Sequence, residues 1–503
     1  MSAGGGAADA DEKTRGLLRA ALARGRAGAA PRLMREHCLA PERRPGGIVV
    51  QRLMLAPEAH EGDEHAVPVV LVHSCAVSGR GDGARPLICF MHGTGGDSEG
   101  LLETHLVPFA KRGYCALGVD APCHGRRLDP ARRRRAPAEA KTRETSARAR
   151  GERSSAPSFS PSSSRTPDDA DDLAAERSLR APSGHASLSR SRSETFERYG
   201  AALVAAWRGG SEPPERSAAE RSAASETIRH SGHSGSARPF LFDGAWDCLR
   251  AVRFVTGLSS DGRTTDGDPE GPDAALPTRA ASGNEPPLDL VDVNVDETRV
   301  GVSGVSLGGM YAWLAAAAAP ETVAAAAPLI GAQDFGWALR NEKWRARVDS
   351  LPPALFQAAK RDERETLGDE RTSREVTPEL VERVYDAICP GLTTFLDGPR
   401  TFPLVAPRPM LIVNGELDPR NPLEGVRGLV AATRRAYESK NKTKNFVAVA
   451  QRGVAHACTP QMLALADAWL DWRLRPAAAF CDGNKAEAAV AEALRDAETW
   501  LEL

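Results

Sequence analysis

The segment Arg299-Val300-Gly301-Val302-Ser303-Gly304-Val305-Ser306-Leu307-Gly308-Gly309-Met310 constrains this chain more than any other. A short apolar strand runs into Gly-x-Ser-x-Gly, and Tyr311-Ala312-Trp313-Leu314-Ala315-Ala316-Ala317 continues at once as a helix former. Gly304 and Gly308 imply that the backbones flanking the turn pass too close for a Cβ. On such a strand-to-helix turn Ser306 points its hydroxyl out of the sheet, beside the positive end of the helix. The plain alternative is a glycine-rich βα turn without chemistry, as in any parallel sheet. The partner residues decide between the two.

An activated serine needs a general base, and the base needs an orienting carboxylate. Serines on elbows of this kind are followed in the chain by the acid and then the histidine. Of eleven histidines only His456 follows Ser306. It sits in Gln451-Arg452-Gly453-Val454-Ala455-His456-Ala457, directly after the apolar run Asn445–Ala450. The acid is expected after the preceding strand, where Pro409–Val413 leads into Asn414-Gly415-Glu416-Leu417-Asp418-Pro419-Arg420. Asp418 is the choice and Glu416 the competitor; an Asp-Pro turn starter with no catalytic part is the structural alternative for Asp418. The transition state of acyl transfer also needs two N–H donors. One would be Leu307, and the other would come from His92-Gly93-Thr94-Gly95-Gly96, with Thr94 first and Gly95 next. A phosphate-cradling loop is disfavoured, because the spacing matches neither GxGxxG nor GxxxxGK[ST].

Strands are expected at Ile48–Leu55 and Val67–Val72, as an antiparallel pair, and at Pro86–Met91, Tyr114–Val119, Arg299–Val302, Ala325–Ile330, Pro409–Val413 and Asn445–Ala450. Helices are expected at Asp243–Leu258 and Gln461–Leu474. Strands separated by helices predict an α/β fold with a mostly parallel central sheet and helices on both faces. Residues 331–405 read as a largely helical cap inserted over the strand ends. About 129–194, 211–237 and 259–287 are too polar to offset ordering entropy and read as disordered insertions into surface loops of a single domain spanning 32–475. Residues 1–31 read as a flexible N-terminus and 476–503 as a helical tail. The Arg/Ser tract in the first insertion reads as a solvated spacer, with RNA binding or phosphorylation as the alternative.

A hydrophobic fraction of 41%, with 26% charged residues and a net charge of −2, fits a globular chain and gives no case for nucleic acid or an anionic membrane. No apolar run reaches the roughly 20 residues needed to span a bilayer. Nine cysteines without a CxxC pair read as free thiols in a reducing compartment. The expected location is the cytosol, with a plastid or other organelle as the alternative, because 13–36 is rich in Ala and Arg.

His92-Gly93-Thr94-Gly95-Gly96, Asp120-Ala121-Pro122-Cys123-His124-Gly125, Asp243-Gly244-Ala245-Trp246-Asp247 and Gly304-Val305-Ser306-Leu307-Gly308-Gly309 resemble the α/β-hydrolase superfamily over essentially all the folded segments. They resemble in particular its dienelactone hydrolase and prolyl-oligopeptidase-like (acylaminoacyl-peptidase-like) branch. The cap stretches Phe335-Gly336-Trp337-Ala338 and Lys343-Trp344-Arg345-Ala346-Arg347 look like those of an uncharacterised plant and algal hydrolase group. The resemblance implies the α/β-hydrolase fold and a serine hydrolase that cleaves carboxylic esters through Ser306, Asp418 and His456, with no metal or organic cofactor. A peptidase or amidase on the same triad, or a non-catalytic ligand-binding protein on the same scaffold, are the alternatives. The expected partner is a small-molecule ester or short acyl-peptide. Serine stands where dienelactone hydrolases use cysteine, and no β-propeller sequence precedes the hydrolase, so a long-peptide protease is not implied. His124 is expected to be structural. Trp337 and Trp344 are candidates for the substrate pocket, with cap packing as the alternative. His230 and His233 lack acidic or cysteine neighbours and read as incidental rather than metal-binding.

Overall fold

Ile48–Leu55 and Val67–Ser74 are buried at every position, inward and outward alike, so both faces of their sheet must be covered. The computed structural model describes residues 4–24, 26, 31–58, 65–76, 84–127, 192–210, 240–257, 293–367, 373, 375–475 and 482–503. In it the strands are β1 (Glu42–Arg44), β2 (Ile48–Leu55), β3 (Val67–Ser74), β4 (Arg85–Met91), β5 (Cys115–Val119), β6 (Val295–Val305), β7 (Ala325–Leu329), β8 (Met410–Gly415), β9 (Phe446–Gln451) and β10 (Trp500–Glu502). They form one sheet in the order β1-β2-β3-β5-β4-β6-β7-β8-β9-β10. The run from β5 through β9 is parallel, and antiparallel pairs close both ends. The expected antiparallel pairing of the two early strands is present, with Val50 opposite Val72.

Side chains alternate between two cores with the period of the pleat. On β4, Leu87, Cys89 and Met91 enter one core, and Ile88 and Phe90 enter the other. Trp246, Trp313 and Leu429 cover the first face from the helices Asp243–Gly257, Leu307–Ala318 and Leu423–Ser439; Phe109, Trp469 and Val490 cover the second. Every residue of Leu307–Ala318 is buried, which explains its uninterrupted apolar sequence. Its last carbonyls meet arginines: Arg408 donates to Ala316 O at 2.6 Å, Arg15 to Ala317 O at 3.3 Å and Arg19 to Ala318 O at 2.8 Å.

That contact corrects the expectation of a flexible segment over 1–31. Gly4–Ala23 is a helix whose Leu18 and Leu22 are buried and whose Arg15 and Arg19 make this docking. The C-terminal stretch is likewise more than a helical tail, because β10 follows the helix Gly483–Arg495 and pairs with β9. These short edge elements carry too little periodicity to be read ahead of the fold. The segments expected to be disordered lie outside the described residues, except that 192–194 open the helix Arg192–Gly210. His230 and His233 also lie outside them.

Between β7 and β8 come the helices Phe335–Arg340, Arg345–Asp349, Ala354–Leu367, Pro378–Ile388 and Gly398–Thr401, the helical excursion expected over 331–405. Arg192–Gly210 joins them, packing on Ala354–Leu367 and Pro378–Ile388. Trp207 Nε1 and Arg208 Nη2 both donate to the Asp362 carboxylate at 3.0 Å. Strand order, helical crossovers on both faces and the turn after β6 make this the α/β-hydrolase fold. No helix among the described residues is long and apolar enough to cross a membrane.

Candidate active site

Ser306 sits between the end of β6 and the helix Leu307–Ala318 at φ 55°, ψ −111°, a conformation that costs a non-glycine residue roughly 1–3 kcal/mol. Hydrogen bonds on both sides hold it there. Its N–H donates to Leu329 O at 2.9 Å, and Met310 N–H donates to Ser306 O at 2.9 Å. The flanking glycines are explained by approach distance. A Cβ on Gly308 would lie 2.2 Å from Met91 O, and one on Gly304 would lie 2.6 Å from the same oxygen. Because the obstacle is backbone of the neighbouring strand β4, Gly308→Ala is expected to destabilise the fold by about 3 kcal/mol or more. Thermal unfolding checks this as a fall of several degrees in Tm.

Ser306 Oγ lies 2.8 Å from His456 Nε2, and His456 Nδ1 lies 2.8 Å from Asp418 Oδ2. The loops after β8 and β9 that carry these side chains are tied together. Glu416 N–H donates to Gln451 O at 2.9 Å and Leu417 N–H to Val454 O at 2.8 Å. Asp418 is buried, yet fully engaged. Oδ1 accepts from the N–H groups of Arg420 at 2.8 Å and Asn421 at 3.0 Å, and Oδ2 accepts also from Asn421 Nδ2 at 3.0 Å. Burial works to raise its pKa, but the His456 imidazole, the Arg347 guanidinium and the Asn421 N–H outweigh it and hold the carboxyl below its ordinary value. Burial pulls His456 below its ordinary value despite the opposing pull of Asp418, with Arg420 and Arg347 adding to the depression. The imidazole is therefore neutral at neutral pH, the form able to accept a proton.

Glu416, the competing acid, points elsewhere. Its Oε2 accepts from Gly453 N–H at 2.9 Å, and its other oxygen faces Arg452. The physical reason is the turn: Leu417 alone lies between the two acids, and only Asp418 is turned toward His456 Nδ1.

The glycine-rich loop after β4 runs beside the elbow, since a Cβ on Gly93 would stand 3.7 Å from Ser306 Cβ. Two histidines brace it. Ala121 N–H donates to His92 Nε2 at 3.0 Å, leaving the His92 proton on Nδ1 to bond Gly93 O at 2.8 Å. Gly95 N–H donates to His124 Nε2 at 3.0 Å, and His124 Nδ1–H bonds Pro122 O at 2.7 Å. Burial, with His92 and Arg127 nearby, pulls His124 down to about 3, so it stays a neutral acceptor. This corrects one expectation: the Gly95 N–H is already committed to His124 and is not free for an oxyanion. The N–H groups of Thr94 and Leu307 have no hydrogen-bond partner among the described residues.

Trp344 is buried and lines a cavity beneath the cap, together with Gln333, Phe335, Arg347, Tyr385 and Arg420. Trp337 does not reach it. Its ring lies against Gly425, where a Cβ would come within 2.9 Å of Cε3, so Trp337 packs the cap on the helix Leu423–Ser439. Sequence reasoning missed Asn421 and Arg347. Asn421 had a signal, an amide three residues past an aspartate in one turn. Arg347 had none, because it reaches Asn421 Oδ1 from a remote cap helix. Among the described residues no cluster of three or more His, Cys, Asp or Glu side chains is arranged to hold a metal ion.

No protein-family model matches the chain. No curated protein matches it either. Similar solved structures include acetyl xylan esterase 1 from Thermoanaerobacterium sp., 12% identical, covering 92% of each chain at a TM-score of 0.39. An acetyl xylan esterase from Paenibacillus sp. R4 is 12% identical over 88% of each chain, with a TM-score of 0.41. A glucuronoyl esterase from Solibacter usitatus is 12% identical over 87% of this chain and 86% of its own, with a TM-score of 0.39. At these identities and scores the likenesses decide neither substrate nor mechanism, and the fold assignment rests on strand order and registers.

Proposed function

We propose that this protein is a serine hydrolase of carboxylic esters in which Ser306 is the nucleophile, His456 the general base and acid, and Asp418 the orienting carboxylate. The observation that carries it is the continuous chain Ser306 Oγ, His456 Nε2, His456 Nδ1, Asp418 Oδ2, with 2.8 Å at each contact. Ser306 Oγ attacks the acyl carbon while its proton passes to His456 Nε2. The negative charge that develops on the carbonyl oxygen is held by the Leu307 and Thr94 N–H groups. The carbon–oxygen bond to the alcohol then breaks, and His456 returns the proton to the departing oxygen. Water deprotonated by His456 attacks the acyl-enzyme, releasing the acid and restoring Ser306.

Asp418 keeps the imidazole proton on Nδ1, so that Nε2 faces the serine as an acceptor. On its motifs we assign the chain to the dienelactone hydrolase and prolyl-oligopeptidase-like branch, and on its cysteine usage to the cytosol. The test is release of p-nitrophenol from p-nitrophenyl esters of graded acyl length, with and without a fluorophosphonate. Turnover abolished by stoichiometric labelling is expected; absence of both turnover and labelling would overturn the proposal.

The depressed His456 pKa sets a pH dependence. Because the neutral imidazole is the working base, activity rises with pH through this pKa. The acid limb of kcat/KM is expected to have its midpoint below the ordinary imidazole value of 6.5. A midpoint above that value in a pH–rate profile would contradict it.

A further inference from the structure

The cavity beneath the cap holds polar groups that the triad leaves unexplained. Trp344 Nε1, Arg347 Nε and Tyr385 Oη are each enclosed and each without a hydrogen-bond partner, and all three residues line the same space. They arrive from separate places: Arg347 is on the helix Arg345–Asp349, Trp344 immediately precedes it, and Tyr385 is on Pro378–Ile388. Arg347 spends one nitrogen, Nη2, on Asn421 Oδ1, and no carboxylate among the described residues lies within ion-pairing distance of its guanidinium.

Enclosed donors without acceptors are costly, and the half-buried guanidinium of Arg347, with its Nε enclosed and no facing anion, adds to that cost. Burial accordingly works against the charge of Arg347, with Tyr385 and Asp418 as the partially compensating neighbours. The acidic group that shares the cavity does not relieve this: Asp334 Oδ1 accepts from Trp337 N–H at 2.7 Å, and its carboxylate makes no ion pair with Arg347. Three unpartnered donors, with Arg347 and Arg420 against the single carboxylate of Asp334, leave this space net positive and match a planar anion with several lone pairs, for which a guanidinium is the fitted partner. The cavity also adjoins the triad. Arg420 and Pro422 line it from the turn that carries Asp418, and Arg347 joins that turn through Asn421.

We propose that this cavity is a subsite for a free carboxylate on the substrate, so that the preferred substrate is an ester bearing a carboxylate elsewhere in the molecule. The proposal rests on the hydrolase reading above. It makes Arg347 and Tyr385 specificity residues, and it assigns to Arg347 the second task of holding Asn421 against Asp418.

Two pairs of isosteric esters test it by pH-stat: monomethyl glutarate against methyl 5-methylhexanoate, with the carboxylate on the acyl side, and acetoxyacetate against isobutyl acetate, with it on the alcohol side. Wild type is expected to prefer the carboxylated member of at least one pair in kcat/KM. In Arg347→Met that preference should fall by roughly 10- to 100-fold, chiefly through KM, whatever happens to turnover of the neutral ester. Arg347→Lys should retain part of it, and Tyr385→Phe should lower it by about 3- to 10-fold while leaving the Asn421 contact in place. Turnover of the neutral esters without preference in either pair overturns the proposal, as does a preference that survives both Tyr385→Phe and a folded Arg347 variant.

Direct binding separates this failure from failure of the hydrolase reading. Calorimetric titration of the full chain with glutarate and with glutaramide does not require turnover. Binding of glutarate alone, lost in the Tyr385 and Arg347 variants, supports the subsite even if no ester is cleaved. Equal binding of both, or of neither, refutes it.

Discussion

Ser306→Ala is expected to lower kcat on any ester the wild type turns over by roughly five to six orders of magnitude, while leaving the fold in place. The size follows from the connectivity. His456 Nε2 loses its hydrogen-bond partner, so removing Oγ idles the imidazole and the carboxylate together. The stability expectation follows from the backbone. Ser306 is held at φ 55° by its own N–H and C=O, neither of which depends on the hydroxyl, and alanine tolerates the position about as well as serine. Fluorophosphonate labelling, p-nitrophenyl ester turnover and a melting curve check the three parts. Persistent labelling in the variant would move the nucleophile elsewhere.

The second large effect is expected at Asp418. Asp418→Asn keeps the shape of the side chain but replaces an acceptor that faces His456 Nδ1 with an amide whose N–H₂ can hold the imidazole in the wrong tautomer, a change that costs about 10⁴ in kcat where triads of this kind have been dissected. Here the penalty has a local reinforcement. Oδ2 also accepts from Asn421 Nδ2, and Oδ1 accepts from two backbone N–H groups, so all the neighbours are donors and an amide nitrogen would face one of them on either side. Glu416→Gln is the control. Its carboxylate serves Gly453 N–H and Arg452, and its replacement should change kcat by less than a few-fold while costing about 1 kcal/mol of stability. Reversal of the two effects in steady-state kinetics would exchange the roles of the two acids.

Much of this arrangement was legible in the chain. The elbow declares itself because a strand, two glycines around a serine and a helix are consecutive, and the glycines report a backbone approach that the neighbouring strand enforces. His456 was legible by elimination, since no other histidine follows Ser306. The strands of the central sheet were legible to within a few residues because burial on both faces demands unbroken apolar runs.

Other parts were not. Gly95 and Thr94 are adjacent, and the sequence ranks Thr94 first without removing Gly95; only the arrival of His124 from the turn after β5 takes the Gly95 N–H out of use. Trp337 and Trp344 are both cap tryptophans, and the orientation of two short helices decides that one packs on Gly425 while the other lines the cavity. The place of the helix Arg192–Gly210 in the cap follows from where Asp362 and the two cap helices stand, far from it in the chain. The N-terminal helix carries arginines whose purpose is visible only beside the open carbonyls of Leu307–Ala318.

The sequence by itself determined the class of fold, the strained serine turn and the chemical types that must meet there, because these depend on local periodicity, glycine sterics and chain order. Tertiary structure alone decided which of two carboxylates meets His456, which amide stays free, and how Trp344, Arg347 and Tyr385 come to share one space. Those are contacts between residues far apart in the chain. Their selection comes from packing geometry, to which no local pattern of residues is sensitive.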